Sequence, residues 1–553
     1  MAQTTQTQVL IVGGGVVGLS AALFLRQNGV EVVLVERHPS TSIHPRARGV
    51  NGRTMELMRG LGLDAAIVAA GAQLAPALGI HSGENLKAVL DATGQGNWIL
   101  RRLRRRGLAG QAVKGSPCGP SRCTQDLLEP LLLTAARERG ADARLHHQLE
   151  SFSQDAFGVT AQVLDRSSGE RIEVQARYLI AADGARGRTR DLAGITRSQL
   201  APGAHQMNLY FRADMRELVA GREFSMCLVE QPGLRGLFAS INNSDLWVLH
   251  VSYDPAREGA ADFTPERCTD IIRRATGLPQ LEIELKGALP WESAAYVADR
   301  YRNGRVFVAG DAAHNMPPWG GFGANTGIQD AHNLAWKLAA VLAGRAGDAL
   351  LDTYENERRP IGLTVSALSA SMNDARGLMA IGRSPLQVFW NMRKIFPWLG
   401  IGYGYSSDAI VAEPGSPAPG PGTRDLRGRP GTRLPHVWLT RAGVSTLDLV
   451  GPRFLLLAAE GGDGWVAAAS GMNVHVVQLG RDVTPVSRRS ARVFGLGKSG
   501  ALLVRPDGFI AWRAAAAPDA GAESTLRAVF ERVHGGSAAT PPATPAGAAR
   551  LGA

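Results

Sequence analysis

At 553 residues the chain is too long for one hydrophobic core, so roughly two to four domains are expected. An apolar share of 45% and a charged share of 20% are those of an ordinary globular protein and exclude a fibrous or wholly disordered chain. The net charge of +11 comes mostly from scattered arginines, and the one dense run (Arg101, Arg102, Arg104, Arg105, Arg106) lacks interleaved aromatics, so it reads as a solvated face or an anionic-cofactor contact, not a nucleic-acid surface.

In chain order, Gln8–Val12 reads as a strand, Gly13–Gly18 as a turn, Leu19–Asn28 as a helix and Val30–Glu36 as a second strand. Val9 to Leu25 is the longest apolar stretch, but glycines and Ser20 interrupt it, and no basic residue precedes it. It is therefore neither a membrane span nor a signal peptide, and a cytoplasmic protein with no membrane partner is expected. The cysteines (Cys118, Cys123, Cys227, Cys268) form no CxxC pair and read as inert thiols, with no metal site. Tyr178–Ala182 is a strand that ends in Asp183-Gly184, and Arg305–Ala309 is another that ends in Gly310-Asp311. Between them, from about Gly194 to Pro290, shorter alternating segments such as Leu246–Tyr253 predict an inserted antiparallel sheet. Thr326–Leu342 predicts a long helix, with further helix to about Arg393. Residues 411–432 are rich in Pro and Gly and read as a linker. Phe454–Ala458, Val474–Leu479 and Ala501–Val504 read as strands of a small separate domain, and the tail from His534 as disordered.

The chemistry begins at Gly13-Gly14-Gly15-Val16-Val17-Gly18. Gly13 permits the tight turn, Gly15 lets a pyrophosphate approach the backbone, and Gly18 lets helix and strand pack closely. The helix end offers unpaired N–H groups and a positive dipole to the phosphates. Glu36, closing the next strand, can accept both hydroxyls of an adenosine ribose. A carboxylate at Asp311 can hydrogen-bond a ribityl hydroxyl. The glycines Gly320, Gly321 and Gly323 leave room for a flat ring, and the helix after Asn325 points its positive end at that ring.

GxGxxG with Glu36, Asp183-Gly184-Ala185-Arg186, and Gly310-Asp311-Ala312-Ala313-His314 running through Pro317-Pro318-Trp319-Gly320-Gly321-Phe322-Gly323-Ala324-Asn325 together resemble the para-hydroxybenzoate hydroxylase family of class A flavoprotein monooxygenases. Within that family the chain is most similar to the aromatic polyketide hydroxylases of anthracycline and tetracenomycin type, and the segments Pro45–Glu56 and Arg122–Leu131 match the same subgroup. The resemblance implies an α/β, Rossmann-like FAD-binding domain (1–193 and 291–400) with an inserted antiparallel-sheet substrate domain (194–290). After the 411–432 linker it implies a thioredoxin-like domain without CxxC (433–535), suited to packing or homodimerisation, and a disordered tail (536–553).

The family's residues carry over as Gly13, Gly15, Val16, Val17, Gly18, Glu36, Arg37, Arg46, Arg122, Gln125, Asp183, Asp311, Pro318, Gly321, Gly323, Ala324 and Asn325 along the FAD, with Arg46 and Trp319 contributing to the pocket. Two positions depart from the pattern: Gly187 stands where serine is usual, and Phe322 where many relatives have glutamine. The implied activity consumes NADPH or NADH and O2. Reduced FAD adds O2 at C4a, and the hydroperoxide hydroxylates a polycyclic phenolic or quinone substrate. A Baeyer–Villiger-type oxygenase or an oxidase on the same scaffold is the alternative. The flavin carries the reaction, so no catalytic dyad is expected.

Among single residues, His314 is read as structural, and Trp319 as lining the cavity. His44 stands open between a surface loop and the substrate or flavin edge. Tyr210, Phe224, Met226, Phe238, His250 and Tyr253 lie on the inserted sheet, and some of them must form the pocket wall.

Overall fold

The computed structural model describes residues 4–74, 79–92, 115–380, 403–423, 427–439, 443–486 and 492–535. The first strand, β1 (Thr4–Val12), ends in Val9-Leu10-Ile11-Val12, all buried because both faces of the sheet are covered. Helix α1 (Val16–Gln27) follows and is apolar almost all round, as a helix enclosed by protein must be. β2 (Val32–Glu36) returns parallel to β1, in the register Val12↔Val35.

The remaining strands of this sheet are β4 (Asp142–Leu145), β5 (His147–Gln154), β6 (Val159–Asp165), β7 (Arg171–Ala181), β15 (Arg302–Asn303) and β16 (Val306–Val308). Their order is β15-β16-β7-β1-β2-β4, with the β5–β6 hairpin added beside β7. Three helices cover it: α3 (Gln125–Glu138), α5 (Gly323–Leu342) and α6 (Ala349–Ala370). A shorter helix, α2 (Gly52–Gly60), is capped by Asn51, whose side chain accepts the Thr54 N–H at 2.9 Å.

The second sheet has six strands, in the order β13 (Glu284–Glu292), β9 (His205–Arg212), β12 (Leu246–Ser252), β11 (Leu234–Ser240), β10 (Met226–Gln231) and β3 (Ile80–Gly83). Its side chains alternate between two faces. Met207, Leu209, Phe211, Cys227, Val229, Phe238, Trp247 and Leu249 pack one face against α4 (Pro265–Thr276), a helix capped by Thr264 and ended by Gly277. Leu228 and Leu237 on the other face pack with Trp319, Phe322, Ile361 and Val365 of the first unit. A small sheet, β17 (His314–Asn315), β14 (Ala295–Ala298) and β8 (Arg197–Ala201), joins the two units.

The C-terminal unit runs β18 (Phe454–Ala458), α7 (Asp463–Ala468), β19 (Val474–Gln478), β20 (Ala501–Val504), β21 (Ile510–Ala514), α8 (Ala522–Val533), in the sheet order β19-β18-β20-β21. β18 and β19 are parallel, and β20–β21 is an antiparallel hairpin, which is the thioredoxin-like arrangement.

Several boundaries differ from the sequence reading. The middle sheet recruits β3 from outside 194–290, parallel to β10 through Ile80↔Met226. A four-residue edge strand stabilised by remote pairing carries no local pattern to reveal it. The long helix starts at Gly323 instead of Thr326, with Phe322 already in helical conformation. The described part of the 411–432 linker is tied down: Val411 donates to the Ala511 carbonyl, and Gly431 to the Ile510 carbonyl. At the head of the tail, His534 packs on Phe454 and Phe530. The helix expected to about Arg393 ends at Ala370, and the chain turns back through the Asn373–Met379 bridge; residues 381–393, the basic run Arg101–Arg106 and the 536–553 tail lie outside the described residues. All four cysteines are buried and free, and burial pushes the Cys118, Cys123 and Cys227 thiols up to about 12.

Candidate active site

Three segments far apart in sequence meet at one edge of the first sheet. The register aligns Val12 with Ala181 and Ala181 with Val308, so the carboxyl ends of β1, β7 and β16 lie side by side. Gly13 follows its strand directly, and Asp183 and Asp311 come two and three residues after theirs, where parallel sheets bind ligands.

The glycine turn separates internal needs from external ones. Gly13 has φ +110°, and a Cβ on it would lie 2.3 Å from the Ala182 carbonyl oxygen; on Gly18 it would lie 1.9 Å from the Gly13 carbonyl oxygen. Both must be glycine for the turn to close. At Gly15 the nearest atom to an added Cβ is Glu129 Oε1, at 3.5 Å, so the protein itself leaves space for a side chain there. What needs a bare backbone at Gly15 comes from outside. Helix α1 has no side-chain cap and no acidic residue in its first turn, so its positive end is open to an anion.

Glu36 accepts the Gly14 N–H at 2.7 Å and the His38 N–H at 2.9 Å. A carboxylate has about four acceptor positions, so both oxygens keep capacity for ribose hydroxyls. Arg37 is exposed and turns toward His38. Glu129, to which sequence reading gave no role, is buried beside this turn. It accepts from Gln125 Nε2 and the Ser42 N–H, each at 2.7 Å, and burial raises its pKa. It thereby fixes the Gln125 amide and the loop leading to Arg46.

Asp183 accepts from the Thr189 N–H and hydroxyl through one oxygen, while the other is buried without a partner. Burial raises its carboxyl above the usual range. A Cβ on Gly187 would fall 2.2 Å from that carboxyl group, so the glycine departure lets Asp183 sit where it does. Asp311 lies at the floor of an open groove. It is exposed, yet enough protein surrounds it that desolvation raises its pKa, against the pull of His314 and Arg46. Its carboxylate accepts no hydrogen bond among the described residues and faces Gly323 at the start of α5. A free carboxylate beside an open helix end fits a ribityl hydroxyl and a flat ring.

Pro318 and Gly321 are exposed along this groove, with Gly323 and Ala324 half-buried. Asn325 is buried, and its amide is fully used. It donates to Gly49 and Gly321 carbonyls and accepts the Asn51 N–H, which clamps α5 to the segment carrying Arg46 and Arg48. His314 is buried against Asp330, 2.6 Å away, in keeping with a structural role.

Across the groove stands the second face of the six-stranded sheet. Arg48 and Arg122 both donate to the Ser240 carbonyl, at 3.1 and 3.4 Å, and neither meets a carboxylate among the described residues. Burial and the neighbouring Arg122 charge push Arg48 down to about 9. His44 is buried beside Tyr210 with neither ring nitrogen partnered; burial and Arg46 push it down to about 4. His250 stands edge-on to Trp291 and Trp319, and burial with the charges of Arg48 and His44 pushes it down to about 3. Trp319 is buried, its N–H bonded to Asn373, and Phe322 packs into the apolar cluster with it. Of the six sheet residues noted from sequence, Tyr210, Met226 and His250 face this side. Phe224 and Phe238 belong to the opposite core, and Tyr253 packs against it.

Residues 6–369 match the family described as FAD binding domain, and residues 427–536 match the aromatic-ring hydroxylase C-terminal family. The chain belongs to the FAD-dependent aromatic-ring hydroxylases. It is 43% identical to a tetracenomycin A2 monooxygenase-dioxygenase of Streptomyces glaucescens, over 98% of this chain and 99% of the relative. A tetracenomycin B2 monooxygenase-dioxygenase of Streptomyces olivaceus is 40% identical, over 95% of this chain and 98% of that one. The solved structure of aklavinone-11 hydroxylase with FAD and aklavinone superposes with a TM-score of 0.80 at 35% identity, covering 96% of this chain and 99% of that one. The hydroxylase is thus an FAD-dependent monooxygenase with the three-part fold expected from its motifs. No described helix is long and apolar enough to cross a membrane.

Proposed function

We propose that the hydroxylase adds one oxygen atom of O2 to a polycyclic phenolic ring of polyketide origin, with NADPH or NADH as reductant. One oxygen enters a ring C–H bond, and the other leaves as water as the nicotinamide gives up a hydride. The observation that carries this reading is the pairing of two opposed walls. On one side are the three convergent strand ends; on the other is an aromatic sheet face whose Ser240 carbonyl takes two arginines that meet no carboxylate among the described residues. The polycyclic compounds in the relatives' names support a substrate of that size.

In this reading Glu36 takes the adenosine ribose. The first turn of α1, with Gly13, Gly15, Val16, Val17 and Gly18, takes the pyrophosphate, and Asp311 takes the ribityl chain. Arg46, Gln125 and Asp183 flank the cofactor, and the α5 end with Pro318, Gly321, Gly323 and Ala324 borders the ring. Bound FAD supplies hydride acceptance and oxygen activation. Arg48 and Arg122, the latter expected from the sequence along the FAD but bonded here to the Ser240 carbonyl of the sheet, hold the substrate's phenolic oxygen and favour its ionised form, which makes the ring electron-rich. His44 and His250, at about 4 and about 3, are too weakly basic to take that proton at neutral pH, so it passes to water. Trp291, Trp319 and Phe322 keep bulk water from the reacting edge.

The test is aerobic turnover with NADPH and with NADH against a panel of polycyclic phenols, with products weighed by mass spectrometry. A gain of one oxygen with the ring skeleton intact is expected. A lactone, a ring-opened acid, or oxidation without oxygen gain would overturn hydroxylation.

A further inference from the structure

The C-terminal unit reaches the flavin side through a chain of buried charges. Arg505 follows the last residue of β20 and Asp507 stands in the turn after it, both without meaningful exposure. Arg505 donates to both carboxylate oxygens of Glu357 on α6, at 2.6 and 2.8 Å, and also pairs with Asp507. Glu357 further accepts from Lys337, Asn333 and Ser407. The next residue on α6, Arg358, donates to Asp330 at 2.7 Å, to the Thr326 carbonyl at 3.1 Å and to the Tyr405 hydroxyl at 2.9 Å. Asp330 in turn accepts the Gly310 N–H at 3.1 Å and is bonded to His314. Gly310 directly precedes Asp311. A second branch leads to the same arginine, because Phe509 stacks on Tyr405 with centroids 4.1 Å apart.

We infer that the Arg505–Phe509 turn of the C-terminal unit positions the Gly310–Asp311 turn for FAD, acting through Glu357, Arg358 and Asp330. Arg505 is a positioning residue that never touches the cofactor. Arg505 is the cation that bonds both Glu357 and Asp507, with Asn333 donating to the same two carboxylates and Lys337 to Glu357; weakening the Arg505 bridge leaves the two anions less well held, loosens α6 and relaxes the geometry of Arg358 on Asp330. In the intact protein the void among Arg53, Asn333, Tyr405 and Asp507 has no room for a water molecule, so these charges are answered by protein groups. The inference rests on the reading of Asp311 as a ribityl ligand.

The test uses the full-length protein with two readouts: the FAD dissociation constant, and deuterium uptake at the Gly310–Ala313 amides of the apoprotein. Arg505→Lys keeps the charge but cannot make two parallel bonds to one carboxylate. It is expected to bind FAD roughly ten-fold more weakly and to exchange faster at that turn. Phe509→Leu, which cuts the other branch, should change both readouts in the same direction and less. Trp465→Leu disrupts the same unit at a side chain bonded to the Ala516 carbonyl and packed on Trp512. It should lower the melting temperature and leave both readouts unchanged. Wild-type affinity and exchange in Arg505→Lys, or equal acceleration in Trp465→Leu, overturns the inference. Asp311→Ala separates the two readings: unchanged FAD affinity there refutes the ribityl assignment, while the exchange result still decides whether the C-terminal unit holds the turn.

Discussion

Two groups of arginines sit in this molecule, one fully buried and one half-buried, and their surroundings are opposite. Arg358 and Arg505, between the first unit and the C-terminal unit, have every charge answered by Asp330, Glu357 or Asp507. Arg48 and Arg122, in the cleft, lean on the Ser240 carbonyl and meet no carboxylate among the described residues. Full burial gives the first group the larger desolvation penalty, which its carboxylates offset within the chain, whereas the half-buried second group finds only carbonyl acceptors. The contrast teaches where to look for a ligand: a fully paired cluster explains itself as structure, whereas half-buried cations that meet no carboxylate among the described residues mark the place to test for a bound anion.

The contrast breaks most visibly at Glu357. Glu357→Gln removes the carboxylate shared by Lys337 and Arg505 and should cost about 3–5 kcal/mol of unfolding free energy in a denaturant titration. A loss below about 1 kcal/mol would mean that the interface charges are not mutually dependent. The opposite sign is expected in the cleft. Arg48→Met deletes an unanswered cation, so the folded protein should gain about 1 kcal/mol. The same change should raise KM for a phenolic substrate by about ten-fold or more. A destabilised Arg48→Met protein with wild-type KM would put Arg48 with the structural group.

The smallest effect is in pH dependence. His44 and His250 titrate in the folded state at about 4 and about 3, below their ordinary value. Between about pH 6.5 and those values the unfolded chain binds more protons, so stability falls as the pH drops. Each imidazole contributes at most about 1.4 kcal/mol per pH unit, and over the first half unit below pH 6.5 the pair costs under about 1 kcal/mol. Stability curves of the His44→Gln/His250→Gln protein should be flatter in that window, and an unchanged slope would show that the cleft is wetter than its geometry implies.

What was legible in the sequence follows from how local each constraint is. Gly13, Gly18 and Asp311 could be found because a phosphate turn and a strand-end carboxylate are written within a few residues. The arginines Arg46, Arg48 and Arg122 were visible as motif positions, but the convergence of Arg48 and Arg122 on the Ser240 carbonyl needs three remote segments to meet. Asn325 lies in a cofactor motif, yet its amide serves as a clamp to Gly49 and Asn51, which only the packing of α5 reveals. Glu129 shows a weak signal, four residues after Gln125 on one helix face, and its burial against the glycine turn gives it meaning. Nothing in sequence joins Glu357 to Arg505, because a bond between two separately built units has no periodicity to betray it.

The two-faced alternation of the six-stranded sheet has a practical reach. Along β9, β10 and β12 the odd-numbered positions belong to the α4 core, whereas Asn208, Tyr210, Met226, Leu228, Val248 and His250 look the other way. On β11 the parity reverses, with Phe238 inward and Leu237 and Ala239 toward the cleft. Under the proposed assignment of this face to the substrate, a library meant to retarget the hydroxylase is confined to every second residue of four strands. Diversity placed there changes the shape offered to incoming molecules, while the alternate positions stay fixed and keep the scaffold folded through many rounds of selection.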